Sequence, residues 1–479
     1  MIFNSYPFLL FFVAVFVLYW FVCNRNLRLQ NGLVLLSSYF FYAWADWRFL
    51  FLLVGVSALN FVLGIYIEKS TSEKQKKILL WIGLLQGIGG LAFFKYYNFF
   101  ITSFNDLFRS MNLEMSLQTL NILIPLGISF FTFRTVSYIL DVEKGKIEAT
   151  KDWIVFFNYV AFFPALLSGP IDKAKTFVPQ LERERVFDYQ MASEGMRQIL
   201  WGLFKKIVVA NNCGIITDMI FGNYANLPSS SLLYGAFIYT IQIYADFSGY
   251  SDMALGFAKL LGFRITKNFD FPYFAQNIAE FWRKWHMSLT GWLTEYVFTP
   301  LSISFRDYGN LGLIMAIVIN FVIVGIWHGA NWTYVLFGFL HGIYFIPLIL
   351  KGTMNKKKKI AKDKMFPSFR EIFNVLTTFL LVMLTFIVFR SANVTAAFDY
   401  FIRLFSKSIF SIPSEFHIQL LAMIVFFMAV EWLGREKEFA ISSIELKFAK
   451  PLRYAFYFVL LTGIFLFSSK EQEFIYFQF

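Results

Sequence analysis

Three of the four histidines in this sequence lie in two polar stretches set in apolar surroundings. "AEFWRKWHMSLTGWLTEYVFTPL" carries Glu280, Arg283, Lys284, His286 and Glu295, and "VGIWHGANWTYVLFGFLHG" carries His328, Asn331 and His341. A third stretch, "QIYADFSGYSDMALG", sets Asp246 and Asp252 in an apolar run. Ionisable groups at membrane depth cost on the order of 2.5 to 3.5 kcal/mol each, so such residues are functional candidates by default. Imidazole is the side chain best suited to take a proton at neutral pH, and a dry site disfavours its charged form. His328 is the leading candidate base. It follows an apolar helix and precedes Gly329, whose missing side chain lets a substrate or another backbone come close.

The other polar residues carry structural readings beside functional ones. Glu280 has helical pair spacing with Arg283 and Lys284, as expected for charge neutralisation at an interface. Asp246 either caps a helix break or orients a histidine. His341 either supports the site or satisfies packing, and His417, at the start of an apolar span, reads as interfacial. No His-Glu-x-x-His motif is present, so no metal is expected. No phosphate-binding glycine loop, nucleophile-elbow pentapeptide or dinucleotide fingerprint occurs either. The chemistry expected uses histidine as a base together with a donor bound from outside the chain.

The elements that position these residues are membrane helices. Of 479 residues 58% are hydrophobic and only 15% charged, against roughly 25% charged in a soluble chain. Apolar runs of spanning length recur near residues 7–22, 31–46, 50–66, 78–94, 120–140, 371–389, 417–433 and 454–468. The first lacks a basic start and a small-residue cleavage site, and reads as a retained helix. A net charge of +12 does not point to nucleic acid, because the lysines and arginines gather in short loops between spans. Taking "KGTMNKKKKIAKDKMFPSFR" (351–370) as cytoplasmic puts the basic loops at 69–77, 144–151 and 435–453 on the same side and both termini outside. Cys23 and Cys213 are too few for a disulfide framework and read as buried small residues.

Two apolar segments are broken. Pro164 and Gly169-Pro170 interrupt "FFPALLSGPIDKAK", and Pro125 and Gly127 interrupt "ILIPLGISFFTF". Broken backbone at membrane depth survives only against protein or a water-filled cavity, so re-entrant segments are expected there. The expected fold is all-α: a polytopic integral membrane protein with about eleven transmembrane helices plus re-entrant and interfacial ones. Residues 1–479 form one domain, with 469–479 as a tail.

"FWRKWHMSLTGWL" and "WHGANW", about forty residues apart, resemble the signature region of the membrane-bound O-acyltransferase (MBOAT) family. "IPLGISFFTFRTVSYILDV", "FFPALLSGPI" and "DFSGYSDMALGFAKLLGF" are similar to its alginate O-acetyltransferase and peptidoglycan O-acetylase branch, as is the opening "MIFNSYPFLLFF". The resemblance implies a helical ring around a thin centre, pierced by a tunnel from the cytoplasm to an outward funnel. It also implies acetyl transfer from a cytoplasmic thioester, acetyl-CoA, across a bacterial inner membrane to a polysaccharide such as alginate or peptidoglycan. The family histidine corresponds to His328 and a second family position to His286. The last handover is expected to involve a separate extracytoplasmic SGNH-type acetyltransferase (AlgJ- or AlgX-like). Alternative readings are D-alanyl transfer to teichoic acid and, from another class, a transporter or flippase.

Residues 474–479 read "FIYFQF". The pattern Phe474, Tyr476, Phe479 resembles tails of the same acylation systems, in which the tyrosine is thought to carry the acyl group in transit. A phenol with pKa near 10 gives an ester between a thioester and a sugar ester in transfer potential, so both handovers can run downhill. Phe474 and Phe479 would anchor the tail in an apolar groove. An aromatic belt at the membrane surface is the structural alternative.

Overall fold

The computed structural model describes all residues except 114, 115, 357, 358, 363, 444–448, 469–471, 473 and 476–479. Among the described residues every regular element is helical. Six helices are long and apolar enough to cross a membrane: Arg48–Lys69, Glu73–Ser110, Tyr189–Gly222, Arg306–His328, Trp332–Leu350 and Phe369–Arg390. Shorter apolar helices run over Tyr6–Val22 and Ile418–Gly434, and another over Lys450–Leu466. The expected eleven spans are not confirmed, because several apolar segments break into short pieces. The span expected over 120–140 begins only at Ile128, after Gly127 in the left-handed region (φ 73). The one expected over 78–94 instead runs on to Ser110. Local chemistry sets many of the starts. Asn26, Ser72, Asp152, Asn331 and Ser368 each accept backbone N–H groups at a helix N-terminus, satisfying donors that have no intrahelical partner.

Two compact units are distinguished, Met1–Met196 with Ala254–Thr266 and Arg197–Met253 with Lys267–Phe479. The first has the helix Ile128–Glu143 at its core, with every residue buried except Leu140 and Glu143. Arg134 lies in its middle, 1% exposed, and reaches into the proline-broken segment. Its Nη1 donates to the carbonyls of Tyr159 and Val160 (3.3 and 3.2 Å), and its Nη2 to those of Ala165 and Pro170 (3.2 and 3.0 Å). Residues 161–172 are all buried, so the expected re-entrant stretch is covered by protein. Gly127 belongs to the same knot, where a Cβ would stand 2.7 Å from the Leu166 carbonyl. The Ala149 N–H donates to Glu68 Oε1 at 2.9 Å, so the basic loops at 69–77 and 144–151 leave this unit from one end.

The second unit is organised by two close backbone approaches. Gly202 and Gly249 face each other across a helix crossing, where a Cβ on either would stand 2.7 or 2.9 Å from the other's carbonyl. The helices Gly309–His328 and Trp332–Tyr344 form a hairpin in the same way. A Cβ on Gly325 would stand 2.1 Å from the Tyr334 carbonyl, and one on Gly338 2.1 Å from that of Phe321. Small residues drive such pairing in membranes because dispersion and close contact, not hydrophobicity, hold helices together there. At the far end of this hairpin, Arg283 donates to the Met354 carbonyl (3.1 Å) and Arg435 to that of Lys364 (2.7 Å), so the lysine-rich loop is tied down by two arginines.

Arg134→Leu keeps the bulk but removes the guanidinium donors from four buried carbonyls, of which that of Pro170 keeps the Asp172 N–H, at roughly 1–3 kcal/mol for each acceptor left unpaired. The variant is expected to lose monodispersity on gel filtration in detergent, or to melt lower by on the order of 5 °C or more, with Arg134→Lys intermediate. A leucine variant as stable as the parent would show that the broken segment holds without the guanidinium.

Candidate active site

His328 is the last residue of the helix Gly309–His328, held at the turn of the glycine-packed hairpin. The turn is fixed from the next helix. Asn331 Oδ1 accepts from the Thr333 N–H at 3.0 Å while its Nδ2 donates to the Ala392 carbonyl at 2.8 Å. Asn331, a supporting candidate from its position, therefore commits both polar ends to backbone. The His328 ring is buried, 5% exposed, against Phe389 (5.1 Å between centroids) and Phe337 (6.0 Å). The opening expected at Gly329 is taken by the protein itself, since a Cβ there would stand 2.3 Å from Cε2 of Tyr334.

His286 sits between two short helices in the left-handed region, φ 44 and ψ 54. A non-glycine residue there costs on the order of 1–3 kcal/mol and persists only where its surroundings hold it. Asn268 supplies the hold. Its carbonyl accepts from the Met287 N–H at 2.8 Å, and its Oδ1 accepts from Ser288 Oγ at 2.6 Å and the Ser288 N–H at 3.4 Å. Its Nδ2 donates to Ser251 Oγ at 3.3 Å. So presented, the His286 ring meets Phe247 edge-on (4.7 Å) and Trp327 (5.6 Å). Trp327 is in turn 4.9 Å from His328, so the two histidines of the two motifs share one indole as neighbour. His286 lies outside the spanning helices, and burial pushes its pKa down to about 3, leaving the ring neutral.

The remaining candidates divide. His341 is fully buried with both nitrogens engaged: Nδ1 accepts from Trp282 Nε1 at 3.2 Å, and Nε2 lies 3.0 Å from Thr385 Oγ1, whose proton goes to the Val382 carbonyl. That arrangement fixes Nε2 as the protonated nitrogen. His341 satisfies packing. It touches Phe337 (4.5 Å), which also touches His328. Glu280 pairs with Lys284 at 2.9 Å, as its spacing implied. His417 is exposed at the start of its helix. Cys213 is buried, whereas Cys23 is only half-buried. Among the described residues no group of three histidine, cysteine or acidic side chains is placed to hold a metal.

Asp246 neither caps a break nor orients a histidine. It lies within the long helix Ser229–Leu260 and pairs with Lys206, Nζ to Oδ1 2.7 Å, both side chains nearly fully buried. Its Oδ2 accepts from the Ile475 N–H at 2.9 Å. Phe474 is 4% exposed, stacked on Tyr250 (4.6 Å) and beside Phe247 (6.0 Å), the ring that meets His286. Tyr476 and Phe479 lie outside the described residues. Asp252 is paired likewise, with Lys205 at 2.6 Å and Gln198 at 2.8 Å. Glu431 accepts from Trp201 Nε1 (2.9 Å) and Tyr244 OH (2.6 Å). The sequence reading missed Lys205, Lys206, Glu431 and Asn268. Two adjacent lysines inside the apolar run "WGLFKKIVVA" were the available signal for the first two.

If Asn268 holds the His286 turn, Asn268→Leu should destabilise the protein by about 1–3 kcal/mol, since it leaves the Ser288 donors without their acceptor, and Ser288→Ala by less. Thermal unfolding of both variants checks this, and equal melting of Asn268→Leu and parent would show that the Asn268 side chain does not hold the turn.

Comparison with known proteins places the sequence in a family. The model of "MBOAT, membrane-bound O-acyltransferase family" matches residues 150–390, a stretch that holds both histidine motifs. A probable alginate O-acetylase AlgI of Pseudomonas aeruginosa is 36% identical over 413 residues, covering 85% of this chain and 75% of its own. A peptidoglycan O-acetyltransferase of Helicobacter pylori is 30% identical over 83% of this chain and 78% of its own. A teichoic acid D-alanyltransferase of Streptococcus thermophilus is 32% identical over 55% of this chain and 68% of its own. With half of the sequence inside the family model and relatives matched along most of their length, the chain belongs to the membrane-bound O-acyltransferase family and is a multi-pass membrane acyltransferase.

Proposed function

We propose that this protein takes acetyl from a cytoplasmic thioester, acetyl-CoA, and passes it across the bacterial inner membrane for O-acetylation of an extracytoplasmic polysaccharide. Acetylating relatives align over 83% and 85% of the chain and the D-alanylating one over 55%, which favours acetyl over D-alanyl as the group carried. Family membership argues against the transporter reading.

The observation that carries the reaction is the pair of buried histidines about Trp327, with Phe474 of the tail one aromatic ring away from His286. His328 acts as general base on the hydroxyl of Tyr476, and the phenolic oxygen attacks the thioester carbonyl. The carbon–sulfur bond breaks, the thiolate leaves with the proton taken up by the base, and an aryl ester remains on the tail. His286, neutral at its strained turn, orients or polarises the reacting groups. On the outer side the ester is passed to a sugar hydroxyl with the help of a separate SGNH-type acetyltransferase.

His328→Ala should lower acetyl transfer by about a hundredfold or more, the usual loss on removing a general base, while the protein still inserts and folds. Mass spectrometry of cell-surface glycans from cells carrying the variant reads this, and retained acetylation removes His328 from the role. Tyr476→Phe keeps the aromatic character of the tail and removes one hydroxyl. Polymer acetylation is expected to be lost, and unchanged acetylation overturns the relay.

A further inference from the structure

The buried pair Lys206–Asp246 is not consumed by the chemistry above, yet it is costly to bury. Taking two charges out of water costs several kcal/mol per ion, and their attraction repays this only with further hydrogen bonds. Here the further bonds go to the main chain of the C-terminal segment. Lys206 Nζ donates to the Gln472 carbonyl at 3.2 Å while Asp246 Oδ2 accepts from the Ile475 N–H at 2.9 Å. Both tail groups are backbone, one of each polarity and three residues apart. They are the two groups that would bond each other if the segment closed into a turn. Between them the Phe474 ring lies 5.9 Å from the lysine ammonium and 4.6 Å from the Tyr250 ring it stacks on. Phe474 and Ile475 are 4% and 3% exposed.

We propose that Lys206 and Asp246 form a main-chain clamp that fixes the register of the C-terminal segment, with the Tyr250 and Phe247 rings as the pocket for Phe474. A carboxylate that reads an N–H and an ammonium that reads a carbonyl hold backbone whatever side chains it carries, while the aromatic pocket selects which residue sits between them. The bonded N–H belongs to Ile475, the residue that precedes Tyr476 in the sequence. Lys206 and Asp246 are thus positioning residues that act through the tail. This deepens the relay reading, on which the purpose of the clamp rests. Its contacts are tested separately.

The test uses the full chain in lipid nanodiscs and a readout independent of activity: cleavage by a glutamate-specific endoprotease after Glu473, followed as loss of residues 474–479 by intact-mass spectrometry. Cleavage requires the main chain from 472 to 475 to leave the clamp. Ile475→Pro deletes the N–H given to Asp246 and leaves the ion pair, Ile475→Ala keeps the N–H, and the exchange Asp246→Lys with Lys206→Asp keeps the ion pair but sets an ammonium against the N–H. Cleavage is expected at least tenfold faster for Ile475→Pro and for the exchange than for the parent, with Ile475→Ala near the parent. Parent-like protection of Ile475→Pro overturns the clamp, and that variant decides alone if the exchange does not insert. Should Tyr476→Phe acetylate normally while its tail stays protected, the relay fails and the clamp stands.

Discussion

Inside a membrane every polar group must find its partner within the protein, and that constraint explains more of this structure than any single contact. Arg134 is the clearest case. A proline-broken segment leaves buried carbonyls short of backbone donors, and one guanidinium donates to four carbonyls there. Its fork of fixed donors suits carbonyls pointing from different directions, which a lysine ammonium on a flexible stem would serve less well. The hydroxyls of Thr135 and Ser137 on the same helix turn back to carbonyls in the preceding turn, so each donates within the helix.

The same constraint distinguishes the surroundings of the three buried histidines. A buried imidazole with both nitrogens committed, as in His341, cannot collect a proton without breaking bonds that nothing nearby would replace. His286 and His328 are held differently. Each is presented by backbone, the one by the Asn268 bracket at a left-handed turn and the other by the glycine-packed hairpin capped by Asn331. Their rings face aromatic neighbours that set their position.

The charged pairs show why helix crossing matters. Lys205 and Lys206 are sequence neighbours, Asp246 and Asp252 are six residues apart, and each lysine finds one aspartate. Gly202 and Gly249 bring the two backbones into contact, and the chain around the lysines is wound as a π turn over Phe204–Ala210, a geometry often found at functional positions. The Lys205–Asp252 pair is closed by Gln198 and Ser248, and the Lys206–Asp246 pair is completed by the tail.

Much was legible in the residues alone. Apolar runs announced the helices near 7–22, 50–66, 371–389 and 417–433, because hydropathy over a span length is a one-dimensional property. The two histidine motifs marked where polar groups were too expensive to be incidental. Pro125, Pro164 and Gly169-Pro170 marked where helices had to stop. What only the tertiary structure decided was partnership. Asp246 could cap, orient or pair, and its neighbours in sequence say nothing of Lys206 or Ile475. His286, His328 and His341 are the same residue type in similar apolar contexts, and they differ only in what distant segments bring against them. Composition and spacing determined that this chain must bury charge in a membrane. Which charges meet, and what surrounds each histidine, depended on helix crossings and caps between residues far apart in the chain, where close approach is set by three-dimensional packing and not by any local pattern.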